Sequence, residues 1–225
     1  MEFELANITG PLFLSLKTIS VSATLFLILG TPLAYLLSKK NLRFKYILDT
    51  LVTMPLIFPP IAVGFFLLLL LGRDSFLGFY LQKFDISLIF SFTGIVIASF
   101  IAGLPLMVKP LQSTIEQFPK QIIEASSVSG KSEIKTFLWI VLPTIKNSLM
   151  VSLLIATARA LGEVGITLMI GGNIVGKTDT VSLAIYNAVF DGEYDLAMAL
   201  SGILVITSLI FFISLNILQK KEKLI

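Results

Sequence analysis

The chain is predicted to be an all-α integral membrane protein with about five transmembrane helices, its N-terminus outside and its C-terminus inside. Three observations carry this. Hydrophobic residues fill 56% of the 225 positions and charged residues only 14%, more apolar and less charged than an ordinary soluble domain. Four stretches, 18–37, 51–72, 86–108 and 196–218, contain no charge, and each supplies the roughly 20 residues a bilayer-spanning helix needs. Lysine and arginine are also segregated. Twelve fall in 38–47 (Lys39, Lys40, Arg43, Lys45), in 109–147 (Lys109, Lys120, Lys131, Lys135, Lys146) and in the tail (Lys220, Lys221, Lys223), against three, Arg73, Lys83 and Lys177, in the intervening loops. By the positive-inside rule that bias sets the direction.

The elements follow in order within a single transmembrane domain, 1–225. The first span, about 12–37, carries one charge, Lys17, whose long side chain is expected to snorkel to the headgroups. The second, about 48–72, reads MPLIFPPIAVG and places Pro55, Pro59 and Pro60 inside it; the third, about 86–108, ends IAGLPLMVKP with Pro105 and Pro110. An interior proline removes a backbone hydrogen bond and kinks a helix. Such breaks survive in a membrane only inside a bundle or beside a water-filled path, so Pro59 and Pro60 are candidate hinge points. The fourth span, about 147–172, is interrupted by Arg159 and Glu163, four residues apart and hence on one helical face. Each charge alone would cost roughly 2.5–3.5 kcal/mol at the membrane centre. The pair is either a structural staple or a site where Arg159 also presents positive charge to a passing anion. Gly162 and Gly165 beside it allow close helix approach or a hinge. A short helix is expected within 179–195, at the outer interface, before the fifth span at about 196–218.

Composition excludes several functions. The chain has no cysteine and no histidine, which removes disulfides, thiolate metal sites and imidazole acid–base chemistry; no catalytic or metal-binding residue is assigned. A net charge of +3 whose lysines and arginines fall mostly in loops reads as membrane topology and not as nucleic-acid binding. One stretch, GGNIVGKT at 171–178, fits the phosphate-loop pattern G-x-x-x-x-G-K-[ST]. That pattern needs a strand within an α/β sheet, and the chain outside its spans is too short to build one. The stretch also lies on the expected outer side, so Gly171, Gly172 and Asn173 are read as a helix end and turn.

The longest inward loop, 116–143, reads EQFPKQIIEASSVSGKSEIKTFLWIVLP. Pro119 and Gly130 frame a short helix, since proline suits a first turn and glycine a left-handed stop. Ala125, Ser126, Ser127 and Ser129 are expected to give it a surface of small side chains that can slot into a groove. Glu124, Ala125, Gly130, Ile140, Leu142 and Pro143 stand at the spacing of the EAA loop (E-A-A, three residues, G, nine residues, I-x-L-P). The chain thereby resembles the permease subunits of binding-protein-dependent ABC importers, with Ser126 at the position where the second alanine is usual. The stretches GTPLAYLLSKKNLRFK, MPLIFPPIAVGFFLLLLLG, GLPLMVKPLQSTIEQ and ARALGEVGITLMIGGNIVGKTDTVSLAIY resemble the molybdate/tungstate branch of that family, with sulfate and thiosulfate permeases as near relatives.

The resemblance implies the core fold of type I ABC importer permeases, in the cell membrane, with 116–143 as the cytoplasmic coupling loop. It implies two copies of a separate ATPase that binds ATP and Mg, a second copy of this permease and an extracytoplasmic oxyanion-binding protein. No cofactor is expected in this chain, which is a transport subunit and not an enzyme. A membrane-bound nucleotide-binding enzyme using GGNIVGKT, and an ion-coupled secondary transporter in which Arg159 and Glu163 relay protons, are the readings from other classes.

Overall fold

The computed structural model describes residues 5–39, 42–73, 75–84 and 87–222; Ile86, which opens the expected third span, and Lys40 and Lys223 of the charge count lie outside them. Every regular element among the described residues is helical. Helix α1, Leu5–Leu25, passes through a π turn, Phe26–Gly30, into α2, Thr31–Ser38. Helix α3, Lys45–Ile57, is separated by Phe58 and Pro59 from α4, Pro60–Leu71, and a short α5, Phe76–Gln82, follows. Helix α6, Phe92–Glu116, leads to the loop helices α7, Lys120–Val128, and α8, Glu133–Thr136. A second π turn, Phe137–Val141, precedes α9, Leu142–Thr144. Then come α10, Lys146–Leu161, α11, Gly165–Gly171, α12, Val181–Phe190, and α13, Tyr194–Glu222.

Among the described residues, three helices are long and apolar enough to cross a bilayer: Asn7–Ser38, Phe92–Glu116 and Tyr194–Ser214. The third span is therefore placed later than 86–108, and Lys109, assigned from sequence to a loop, sits inside a helix. Its charge is met there by Asp49 of α3 at 2.7 Å, which lets α6 run on past it. The second and fourth spans are each divided. The break at 58–59 follows from two consecutive residues that precede a proline, Phe58 (ψ 146°) and Pro59 (ψ 132°), because the following ring disfavours the helical region. Single prolines do less, and α6 continues through Pro105 and Pro110. Each π turn is followed by a proline whose i−4 residue lies within it, Pro32 after Ile28 and Pro143 after Trp139. The ring clashes with that carbonyl and removes a donor, and widening the turn accommodates both effects.

Helix α6 is the axis. Its first half packs with α4 and α11 around Val63, Ala98, Ala102, Ile166 and Ile170. Its second half packs with α2, α3 and α10 around Leu37, Val52, Leu111 and Ala160. Between the two clusters the backbones close in at Gly103, where a Cβ would lie 2.4 Å from Phe26 Cζ and 2.6 Å from the Ala156 carbonyl oxygen. A third cluster joins α12 and α13 to the start of α1 through Val181, Leu200 and Leu12. Lys17 does not simply reach outward, since its ammonium lies 4.4 Å from the centre of the Phe92 ring, a cation–π contact at the start of α6.

Candidate functional site

Helix α7 is held as a projecting, preformed element. Its stop is a complete Schellman motif: Gly130 takes φ +77°, its N–H donates to Ser127 O at 2.9 Å, and Lys131 N–H donates to Ser126 O at 3.2 Å. Nothing lies within 4 Å of where a Gly130 Cβ would be, so glycine is needed there for the left-handed backbone and not for space. Ser127 and Ser129 donate their hydroxyls to the Ile123 and Ala125 carbonyls, leaving a face without unmet donors. An ion pair from Lys39 to Glu133, 2.6 Å, ties the segment after α7 to the end of α2. The hydrogen bond from Lys39 holds the Glu133 carboxyl below its ordinary range.

The sequence-predicted loop residues divide by role. Glu124, Ala125 and Gly130 face outward. Ser126 does not belong to the exposed surface of small side chains expected from sequence: it is buried, and its hydroxyl is hydrogen-bonded to that of Thr136 at 2.8 Å, tying α7 to α8. A nine-residue helix with small residues on every side carries no period that marks the buried one. Ile140 and Leu142 pack against the core cluster around Val141 and Ile145, and Pro143 is exposed and opens α9. Sequence reasoning missed three apolar side chains on α7 itself. Ile122, Ile123 and Val128 are exposed, Val128 to 90%, and among the described residues none covers Val128. Apolar residues inside an otherwise polar loop were the available signal.

The residues singled out at the broken spans meet around one contact. Gly165 approaches α4 so closely that a Cβ would lie 2.8 Å from Pro60 Cβ, and Gly64 returns the contact against Met169 and Ile166. Gly165 is therefore a packing glycine. Gly162 has nothing closer than the Ala158 carbonyl at 4.0 Å and simply ends α10. Pro59 is the second of the two non-helical residues between α3 and α4, and Pro60 begins α4. Across the other break, Glu163 is buried and both its oxygens are engaged: Oε2 with Arg159 Nη1 at 2.6 Å, Oε1 accepting the Ile166 N–H at 2.7 Å. One carboxylate thus neutralises the cation of α10 and caps the free N–H groups that open α11.

The stretch 171–178 is a turn and packing device. Gly171 ends α11 against Ile95; Gly172 takes φ +74° beneath the Phe90 ring, and Asn173 takes φ +50° and pairs its amide with that of Asn187. Thr178 Oγ1 accepts the Ile174 N–H at 2.7 Å, closing the turn on itself. After it, Asp179 and Thr180 are buried, with Asp179 Oδ1 and Thr180 Oγ1 lacking a hydrogen-bond partner among the described residues. The expected short helix in 179–195 is α12, anchored by Val181 N–H to Ser15 Oγ and by Ser182 Oγ to the Leu161 carbonyl.

Residues 27–222 match the family described as binding-protein-dependent transport system inner membrane component. The molybdenum transport system permease protein ModB of Azotobacter vinelandii is 34% identical over 203 residues, 90% of this chain and 90% of that one. The sulfate transport system permease protein CysT of Escherichia coli is 29% identical over 194 residues, 86% of this chain and 70% of that one. In fold, the chain matches a protein of the inward-facing MetNI methionine ABC transporter with a TM-score of 0.73 at 16% identity, covering 98% of this chain and 99% of that one. The chain belongs to the inner-membrane permease components of binding-protein-dependent transport systems, which work with an ATPase and a substrate-binding protein.

Proposed function

We propose that this chain moves an oxyanion, molybdate or tungstate, inward through a pathway formed by two copies of itself, with its N-terminus outside and 116–143 in the cytoplasm. The substrate reading is supported by the 34% identity to a molybdenum permease over 90% of both chains; sulfate, carried by the CysT system, is the second reading. The observation that carries the mechanism is α7: rigidly stopped, tied to α8 by one buried serine and exposed on its remaining faces. Lying in the chain between α6 and α10, it would pass a push from a partner to α6 through the 117–119 link and to α10 through α8 and α9. Glu124, Ala125 and Gly130, with Ile122, Ile123 and Val128, form the face offered to the ATPase; two ATPase copies draw the two α7 helices together. The engagement of both Glu163 oxygens supports the structural-pair reading over a proton relay.

Proteoliposomes holding this chain, its ATPase and its binding protein test the substrate. ATP hydrolysis is expected to rise with molybdate or tungstate and not with sulfate or phosphate; stimulation by sulfate alone would move the chain to the other branch. Glu124→Lys and Gly130→Asp are expected to leave the protein in the membrane while transport falls at least tenfold. The first reverses a charge on the docking face, and the second forces a side chain into φ +77°, which costs roughly 1–2 kcal/mol and loosens the stop. Normal transport in both would retire α7 as the coupling element.

A further inference from the structure

The segment from Lys131 to Lys146 turns out of the 116–143 loop and lies across the start of α10. The axis of Glu133–Thr144, which takes in α8, the second π turn and α9, is bent 79° from that of α10. Membrane helices stand on average about 20° from the bilayer normal, so a segment bent this far from one lies within roughly 30° of the membrane plane. Its inner side is fixed at three points. Glu133 pairs with Lys39 at the end of α2, Thr136 shares a buried hydrogen bond with Ser126, and the Phe137 ring stacks on Tyr35 with centroids 4.1 Å apart. Phe137 and Val141 both enter the core cluster.

That fixing turns another side outward. Ile134, Leu138 and Trp139 are exposed, Trp139 to 76%, and so are Lys131, Lys135 and Lys146. Ile134 and Leu138 are four residues apart, as are Lys135 and Trp139, so the two pairs stand side by side on one helical face. The segment holds one acid, Glu133, and Lys39 already neutralises it. Its three lysines make no ion pair among the described residues. An apolar and aromatic face flanked by lysines and held near the membrane plane has the makeup of a helix that rests in the bilayer interface. There a tryptophan ring sits at headgroup level, and lysine stems run along apolar surface while their ammonium groups reach the phosphates.

We propose that 131–146 is a lipid-binding elbow for anionic phospholipids, with Lys131, Lys135 and Lys146 at the headgroup phosphates and Ile134, Leu138 and Trp139 against the upper chain carbons. A cluster of lysines at a charged leaflet gains from each member while it stays within a Debye length of the surface. This binding needs neither the identity of the transported anion nor the direction of the chain, only that α10 crosses the bilayer. Because α8 and α9 join α7 to α10, the membrane surface would hold the link between them.

Trp139 is the one tryptophan of the chain, so its fluorescence reports this face without a label. The full-length permease is placed in phosphatidylcholine liposomes containing, at equal mole fraction, either phosphatidylglycerol or phosphatidylcholine brominated on upper chain carbons. Relative affinity from quenching is expected to favour the anionic lipid at least threefold, and the preference to fall to about one in Lys131→Gln/Lys135→Gln/Lys146→Gln. Lys83→Gln, which alters a cation lying over the Phe79 and Tyr80 rings, is expected to keep the preference. Moving the bromines to the chain ends should weaken quenching at least twofold. A Trp139 that no brominated lipid quenches would assign the face to protein, either a second copy or the ATPase, and overturn the proposal. Equal quenching by the two lipids in the unaltered protein would do the same, and that comparison stands even where the triple variant fails to reconstitute. Since nothing is transported in this assay, stimulation of ATP hydrolysis by sulfate in place of molybdate would count against the proposed function alone.

Discussion

Glu163→Ala is expected to destabilise the protein by about 3–5 kcal/mol, the cost of removing one partner from a buried ion pair. The side chain of Glu163 is only 1% exposed and that of Arg159 30%; without the carboxylate the guanidinium stays largely enclosed and the Ile166 N–H that opens α11 loses its acceptor. The measurement is the thermal unfolding midpoint of the detergent-solubilised protein, read by fluorescence-detected gel filtration. Arg159→Met/Glu163→Gln is expected to recover most of the loss, because it removes both charges and keeps an amide oxygen for Ile166. A Glu163→Ala protein as stable as the unaltered one would end the staple reading. A double variant that is stable yet fails to transport would instead place Arg159 on the anion path.

Gly103→Leu is expected to remove the protein from the membrane fraction. A Cβ there would lie 2.4 Å from Phe26 Cζ and 2.6 Å from the Ala156 carbonyl. A ring can rotate, but a backbone carbonyl within α10 moves only with its helix, so α1, α6 and α10 must separate where they cross. Overpacking of this kind costs roughly 1–3 kcal/mol when side chains can give and more when backbone must. Gly202→Leu is the matched control, since nothing lies within 4 Å of its Cβ position on α13; its level in quantitative membrane blots should stay near that of the unaltered protein. Equal levels of the two variants would show that the crossing is not tightly packed.

Much of this was legible in the residues, and the gaps have physical causes. The stop of α7 was readable because glycine at 130 and proline at 119 act through local backbone geometry, which sequence carries directly. The break at 58–59 was readable for the same reason, as Pro59-Pro60 constrains two successive ψ angles. The end of α6 was not: a lysine marks a span boundary only while it lacks a partner, and the partner of Lys109 is Asp49, 60 residues away. Gly162 and Gly165 looked equivalent, and only the approach of α4 separates them. The inward turn of Ser126 depends on Thr136, and the positive φ of Phe90 depends on Gly172. Each is a tertiary relation that no local window contains.

The two broken spans differ in what restrains them. Helices α4 and α11 grip each other through Gly64 and Gly165, pack together on the first half of α6, and are entered through the elbows at 58–59 and 162–164. The first elbow is stiffened covalently, because a pyrrolidine ring fixes φ at Pro59 and again at Pro60. The second contains no proline and is fastened by a single carboxylate spanning the gap. One joint is therefore set by covalent geometry and the other by one ion pair and one hydrogen bond. In mechanical terms one joint is held by its own backbone and the other by a single removable side chain, Glu163.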